Sequence, residues 1–346
     1  MDYTGFGKDG KHNYKRDYKI NRSLTEKERQ EKLEKSEVAS EHPLDWMSVI
    51  KINNTFLELV DRWYPVKGFA AWQGVMILII SIGGLVAFLW LAMKMNELGF
   101  WVLSAITTLF FLFFIWVGYK GLRFDVFRFT HYPIRLNRKA RQVHVYRPRD
   151  TVLTTSWDDL FVCVMENDMP LFDKSFDIRA HVLDEDGETV RDTFTLGYAY
   201  MGDKESILQL WEYIRRYMEE PNGVEESYKL TELCLPIDGR REGAAFGILR
   251  TFAPAANRPI PQLLLSPMAA LIILGRWFAM YTCKVPRWPE EVEAACPIEP
   301  NDPYRKDWRD NGKYDFWELG WPLICFVVGL AVLGIGAVWL VRAWFS

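Results

Sequence analysis

The chain has 346 residues, a formal net charge of −3, 25% charged side chains and a mean hydropathy of −0.09. So balanced a charge gives no case for nucleic acid as a partner, and the hydropathy excludes a compact, all-membrane transporter, so soluble material must accompany any membrane segment. The five cysteines are widely spaced, without CxxC pairs or Cys/His spacing, which excludes a disulfide scaffold and a zinc site and fits reduced thiols facing the cytoplasm.

Residues 1–42 read as a charged cytoplasmic tail, with Lys8, Lys11, Lys15, Arg16 and Lys19 ahead of a mixed-charge run. No apolar core lies near Met1, so no cleavable signal peptide is expected. Ser23-Leu24-Thr25-Glu26 has the form of a capping box, and Glu28/Lys32 and Glu31/Lys35 are i,i+4 pairs. Together they predict a short solvated helix over about 24–38. Residues 43–69 form an aromatic juxtamembrane segment, with Trp46, Phe56, Trp63 and Tyr64 among charges; it should lie at the interface or pack on the soluble domain.

Two apolar runs, 70–93 and 100–119, make a transmembrane hairpin over 70–120. Each has roughly 20 residues without a charge, the length that spans a hydrocarbon core. Basic residues flank the hairpin on both outer sides, and its short loop carries one Lys and one Glu. The positive-inside rule then places the N-terminus and the following domain in the cytoplasm, giving a multi-pass inner-membrane protein.

Residues 123–223 read as a β-rich cytoplasmic domain. Ile134 and Leu136 alternate with Arg135 and Asn137, Val143 and Val145 with His144 and Tyr146, and Ile178, Ala180 and Val182 with Arg179 and His181. Asp186-Gly187 marks a hairpin turn. Ile207, Leu210, Trp211, Ile214 and Met218 then recur at helical spacing over 203–219. Antiparallel strands closed by one helix are the order of a pleckstrin-homology-like barrel. Residues 224–262 read as a linker rich in Gly, Pro and Ala.

A third apolar run, 263–283, contains Pro267 and Arg276. It either crosses the membrane or lies at the interface as a re-entrant or amphipathic helix, and a count of four spans is preferred to three. Arg276 is a candidate intramembrane polar site, because a charge at this depth is costly unless it faces protein, water or headgroups. The polar segment 284–320 precedes a clear last span, 321–341, with Trp317, Trp321, Trp339 and Trp344 as interface anchors. Its glycines, Gly329, Gly334 and Gly336, offer a smooth face for another helix and are compatible with a homo-oligomer. The fold class is therefore an α+β membrane protein: an N-terminal transmembrane helical hairpin, an antiparallel β domain closed by one helix, and C-terminal membrane helices.

No catalytic signature emerges. His12, His42, His131, His144 and His181 are scattered, and His144 and His181, on the strand faces opposite the apolar residues, read as exposed. Asp158 and Asp159 are adjacent on a strand or turn and cannot easily share one substrate. The acidic tip Asp184-Glu185-Asp186 lacks the spacing of a calcium loop. No cofactor or metal is expected. The basic run Arg135, Arg138, Lys139, Arg141, Arg147 and Arg149 is the candidate partner or lipid surface, since such clusters close to a membrane helix grip anionic headgroups.

Several stretches, namely Tyr132-Pro-Ile-Arg-Leu-Asn-Arg-Lys, Val143-His-Val-Tyr-Arg, Ser156-Trp-Asp-Asp and Trp288-Pro-Glu-Glu-Val-Glu-Ala-Ala-Cys-Pro-Ile-Glu-Pro-Asn-Asp-Pro, resemble an uncharacterised bacterial inner-membrane domain family. The resemblance covers most of the chain after about residue 40. It implies a place near antibacterial effector loci, including type VI secretion, and a role as an immunity-type protein. The expected function is thus a membrane-anchored, non-enzymatic binder of a cognate toxin. The alternative is an envelope scaffold that binds anionic lipid or a membrane complex through its β domain.

Overall fold

The computed structural model describes residues 19–169 and 172–345. The basic residues Lys8, Lys11, Lys15 and Arg16, His12 and the side chain of Trp344 lie outside the described residues. Two compact units emerge, one from residues up to 65 with Phe129–Arg241 and Val285–Lys313, the other from Val66–Arg128, Glu242–Lys284 and the chain from Tyr314 on.

In chain order the first elements are β1 (Arg22–Ser23), α1 (Glu26–Gln30), β2 (Val49–Ile52) and β3 (Phe56–Leu59), followed by the long helices α2 (Phe69–Met95) and α3 (Leu98–Asp125). Strands β4 (Ile134–Asn137), β5 (Gln142–Arg147), β6 (Thr151–Ser156), β7 (Leu160–Met169), β8 (Phe172–Leu183), β9 (Thr189–Thr195) and β10 (Tyr200–Met201) come next. The chain ends in helices: α4 (Lys204–Glu219), α5 (Gly223–Leu230), α6 (Ala244–Phe252), α7 (Pro259–Leu264), α8 (Ser266–Thr282), α9 (Glu290–Ala295) and α10 (Trp321–Phe345).

The first unit holds two antiparallel five-stranded sheets, one ordered β2-β3-β4-β5-β6, the other β1-β9-β8-β10 with β7 also paired to β8. The aromatic segment before the hairpin is therefore β2 and β3, paired directly with β4 (Leu57 opposite Leu136). Apolar side chains from both sheets and α4 share one core that includes Leu57, Val145, Val162, Ile178 and Leu210. Trp157 and Trp211 stack within it at 5.9 Å. Helix α4 follows its sequence pattern closely: Ile207, Leu210, Trp211, Ile214 and Met218 are buried, and Asp203 caps the first turn by accepting from the Ser206 N–H at 2.9 Å.

The N-terminal helix differs from expectation. It is five residues long, and its capping box is Thr25/Glu28, not Ser23/Glu26. It stops because the chain beyond Gln30 runs along β7: the Leu33 N–H donates to Val162 O at 2.8 Å and the Val164 N–H to Glu31 O at 3.0 Å. Those backbone groups cannot also serve a helix. The segment packs along one side, with Leu24 and Glu28 buried, and most of its other side chains are exposed as expected.

In the second unit three helices, Phe69–Met95, Leu98–Asp125 and Phe316–Ala343, are long and apolar enough to cross a membrane. Helix α8, with 17 residues, is shorter than these. Gly68, at φ +96°, precedes α2 without a side-chain cap of its own. Asp125 supplies one: its Oδ2 accepts from the N–H groups of Gly68 and Ala71 at 3.0 Å each, so the end of α3 caps the start of α2. The hairpin packs through Gly74, where an added Cβ would stand 2.6 Å from Leu122 N and 2.8 Å from Gly118 O. Gly74→Leu should therefore force α2 and α3 apart. We expect a marked loss of thermal stability for the solubilised protein and wild-type behaviour for Gly83→Leu, where a Cβ meets nothing within 4 Å.

Two helices were not apparent in the sequence of the linker. Neither α5 nor α6 has a side-chain cap; each forms because it can bury a face, Val224 and Ser227 in α5 and Phe246, Ile248 and Phe252 in α6.

Candidate functional site

A row of polar side chains crosses the whole β2–β6 sheet on the face opposite its apolar core. Lys51 lies opposite Glu58, Glu58 opposite Arg135, Arg135 opposite His144, and His144 opposite Thr154. The alternation that sends Leu57, Leu136 and Val143 to the core sends these to the other face. The middle of the row, Glu58, Arg135 and His144, is nevertheless buried, while Lys51 is half-buried and Thr154 exposed, and the polar segment 285–313 folds against this face. Asn137 Nδ2 donates to Ala295 O at 2.8 Å, Ile52 and Lys306 exchange backbone hydrogen bonds at 3.0 and 2.9 Å, and the Asn54 N–H donates to Asp302 Oδ2 at 2.7 Å.

Arg135 is the hub. Its Nε donates to Glu58 Oε2 at 2.9 Å and its Nη2 to Glu293 Oε1 at 3.1 Å, while its guanidinium carbon lies 4.3 Å from the Phe56 ring centre and 4.9 Å from that of Trp288. Burial alone would favour neutral Arg135, but Glu58 and Glu293 outweigh it and hold the guanidinium charged. Lys51 bridges Glu58 at 3.8 Å and Asp238 at 3.0 Å. Burial works against its charge, and these two carboxylates more than restore it. Each cation is thus matched by carboxylates, buried Glu58 and the more exposed Asp238 and Glu293.

Next to this row opens a cavity of about 340 Å³ whose walls include Glu58, His131, Asp238, Arg287, Trp288 and Glu293. A second cavity, about 60 Å³, shares Asp238 and adds Lys51, Arg305 and Arg309. In the larger cavity the carboxylates of Glu58, Asp238 and Glu293 and the guanidinium of Arg287 share the walls with the Trp288 indole, and the Glu293 side chain remains 53% exposed. Such a site can exchange charged and aromatic contacts with a partner's side chains. Cys296, held at the edge by Asn137 Nδ2 at 3.3 Å, is a poor nucleophile, because burial pushes its thiol pKa up despite the opposing charge of Arg135.

A second buried cluster looks at first like a catalytic triad. Cys163 Sγ lies 3.7 Å from His181 Nε2, which lies 3.3 Å from Glu28 Oε1. A nucleophilic triad needs the thiol and the carboxylate on different ring nitrogens. Here both meet Nε2. Burial raises the Cys163 pKa and lowers that of His181, so the pair rests as thiol and neutral imidazole. Burial also pushes Glu28 up, but hydrogen bonds from His181 and Arg22 outweigh it and hold its carboxyl well below the usual range. Among the described residues no group of three or more His, Cys, Asp or Glu is arranged to hold a metal ion, and all five cysteines are free and buried.

The basic run is dispersed. Arg135 is internal; Arg138 donates to Tyr217 O and, at 2.6 Å, to Glu220 O, tying β4 to the end of α4. Arg141 bridges Asp158 and Glu219, Lys139 meets Glu299, and Arg147 meets Asp192 at 2.7 Å. Arg149 stands exposed at the β5–β6 turn with φ +73°. We therefore expect Arg138→Glu with Arg141→Glu to destabilise the protein by roughly 2–4 kcal/mol in chemical denaturation, by stranding the Tyr217, Met218 and Glu220 carbonyls and repelling Glu219. His144 and His181, expected on the surface, are 2% and 0% exposed. His144 sits between Arg135 and Thr154 of the neighbouring strands, and Glu28 of α1 covers His181.

Arg276 is also internal, in the second unit. Its Nε and Nη2 meet both oxygens of Glu242 at 2.7 and 2.6 Å, and its Nη1 donates to Lys67 O at 3.4 Å. Its partner comes from the segment before α6, outside every apolar run.

These features define a membrane-associated α+β protein with three apolar helices and a largely antiparallel β unit that carries a charged, tryptophan-lined cleft. Residues 111–300, more than half of the chain, match DUF6708, described as a family of unknown function, and the chain belongs to that family. No curated protein and no solved structure matches the chain.

Proposed function

We propose that this protein is a membrane-anchored binder of another protein, acting without catalysis, with the cleft at Glu58, Asp238, Trp288 and Glu293 as its contact site. In its specific form, it is an immunity protein that neutralises a cognate antibacterial effector of the type VI secretion kind, standing in the bacterial inner membrane with a pleckstrin-homology-like β unit in the cytoplasm. The observation that carries the binding reading is the 340 Å³ cleft with charges of both signs around Trp288. It is open enough to admit side chains, and it is underlain by a rigid, charge-matched network that holds its walls in place. The immunity role rests on the family resemblance set out above.

The test is genetic and direct. Deleting the gene in a strain that delivers or receives the toxin should cause self-intoxication. Wild type should rescue, and a Trp288→Ala, Glu293→Arg double variant inserted to the same level should not. Unchanged survival after deletion would sink the immunity reading; full rescue by the double variant would place the contact elsewhere.

A further inference from the structure

Helix α8 is inside-out by the standards of a water-soluble protein. Its buried face carries mostly small or polar residues, Ser266, Ala269, Ala270, Gly275, Arg276 and Ala279, with Ile273 and Met280 the large apolar ones among them, while other large apolar side chains point outward: Met268 at 48%, Phe278 at 44% and Tyr281 at 63% exposure. Its only charge, Arg276, is neutralised internally by Glu242. Helix α7, just before it, exposes Ile260 at 71% and Leu264 at 74%. Water would penalise such a surface, whereas acyl chains would not.

Both ends of segment 242–284 are tied to one level of the second unit, where α2 begins and α3 ends. At the outgoing end, Cys283 Sγ donates to Asp125 O at 3.0 Å and the Lys284 N–H to Arg128 O at 2.7 Å. Gly275 meets the start of α2 so closely that an added Cβ would stand 2.5 Å from Gly68 O. The incoming end is Glu242, fastened to Arg276 next door. Between these points α6 and α8 run side by side, with Trp277 Nε1 donating to Ala244 O at 3.2 Å and Ile248 and Phe252 clustered with Ala269, Ala270 and Ile273. At the turn between them Gln262, buried, donates to Ala255 O at 3.0 Å.

The dimensions exclude a crossing. From Arg276 to Ser266 the helix covers only about 15 Å at 1.5 Å per residue. Helix α2, with 27 residues, extends about 40 Å, so roughly 5 Å of it projects beyond a 30 Å hydrocarbon core at each end. The tip of the segment therefore reaches on the order of 10 Å into the hydrocarbon, less than one leaflet. At its far end it is seated on α10, where an added Cβ on Gly329 would stand 2.2 Å from Ser266 O. From that depth the exposed Arg258 is long enough to return its charge to the headgroups.

We propose that residues 242–284 form a re-entrant helical hairpin that enters one leaflet, turns at α7 and leaves by the face it entered, with Ile260, Leu264 and Met268 among the acyl chains of that leaflet. The Arg276–Glu242 pair clasps its two arms at the mouth. This inference is independent of the binding role proposed for the first unit.

The test uses the full chain reconstituted in phosphatidylcholine vesicles, with a fluorophore attached at Leu264→Cys or, separately, Ile260→Cys. The native cysteines are buried, and the parent chain sets the background. Reference sites are Val86→Cys, within α2, and Asn96→Cys, in the far loop of the hairpin. Both labels should lose quenching by aqueous iodide, supplied to either face, down to the level seen at Val86→Cys, and should be quenched by lipid carrying a nitroxide on its acyl chain. Iodide quenching from the Asn96 face would mean that the segment crosses. Iodide quenching from the opposite face, without acyl-chain quenching, would mean that it lies outside the bilayer. Either result overturns the proposal.

Discussion

Arg276→Leu is expected to lower the melting temperature of the solubilised protein by roughly 10 °C, equivalent to about 3–5 kcal/mol, because it strands Glu242 in a site where that side chain is 2% exposed. Breaking a buried pair costs more than the pair itself contributes, since the remaining charge keeps its desolvation penalty and loses its countercharge. The double variant Arg276→Met, Glu242→Leu removes both charges with little change in volume. It should recover most of the loss, and a double-mutant cycle should give a coupling of several kcal/mol. Arg276→Lys should recover little, because an ammonium cannot match both carboxylate oxygens at 2.7 and 2.6 Å. If the single and double variants melt alike, the pair is not what holds α6 to α8.

The Arg276 pair also shows where the sequence was readable and where it was not. The three long helices could be read directly, because some twenty residues without a charge have few other uses. Helix α4 was equally plain, with apolar spacing and the Asp203 cap agreeing. The partner of Arg276 was hidden, since Glu242 lies 34 positions away in a stretch that looks like a linker, and no local pattern links the two.

Arg135 and His144, both buried, read as surface residues for a related reason. Strict alternation is the signature of a half-exposed strand, and it stays the same when a distant polar segment later covers the wet face. Segment 285–313 gives no amphipathic warning of that role. It covers through single contacts such as Asn137 with Ala295 and Asn54 with Asp302, not through a periodic apolar stripe. The basic run was read as a surface for the same reason: its acceptors, the carbonyls ending α4 and the carboxylates Asp158, Asp192 and Glu299, are scattered along the chain.

Burial of His144 makes a second large effect predictable, a loss of stability in mild acid. Its Nδ1 is paired with Thr154 Oγ1 at 2.9 Å, its Nε2 is buried without a hydrogen-bond partner, and Arg135 lies across the strand pair. Burial first, and the positive charge of Arg135 second, push its pKa down from 6.5 to about 4. Between those values the unfolded chain binds a proton that the folded chain refuses, so the contribution is complete above pH 6.5 and drains away as the pH falls towards about 4. The full span corresponds to about 3 kcal/mol. His181, whose pKa burial also lowers, acts in the same direction. Urea unfolding of the detergent-solubilised chain, followed by tryptophan fluorescence, should show the loss between pH 7 and pH 4.5. His144→Gln keeps a side chain able to bond Thr154 but cannot take up the proton, and its stability should fall much less over that range, with His181 supplying the remaining slope. Parallel pH profiles for the two proteins would show that His144 does not titrate as its burial beside Arg135 requires.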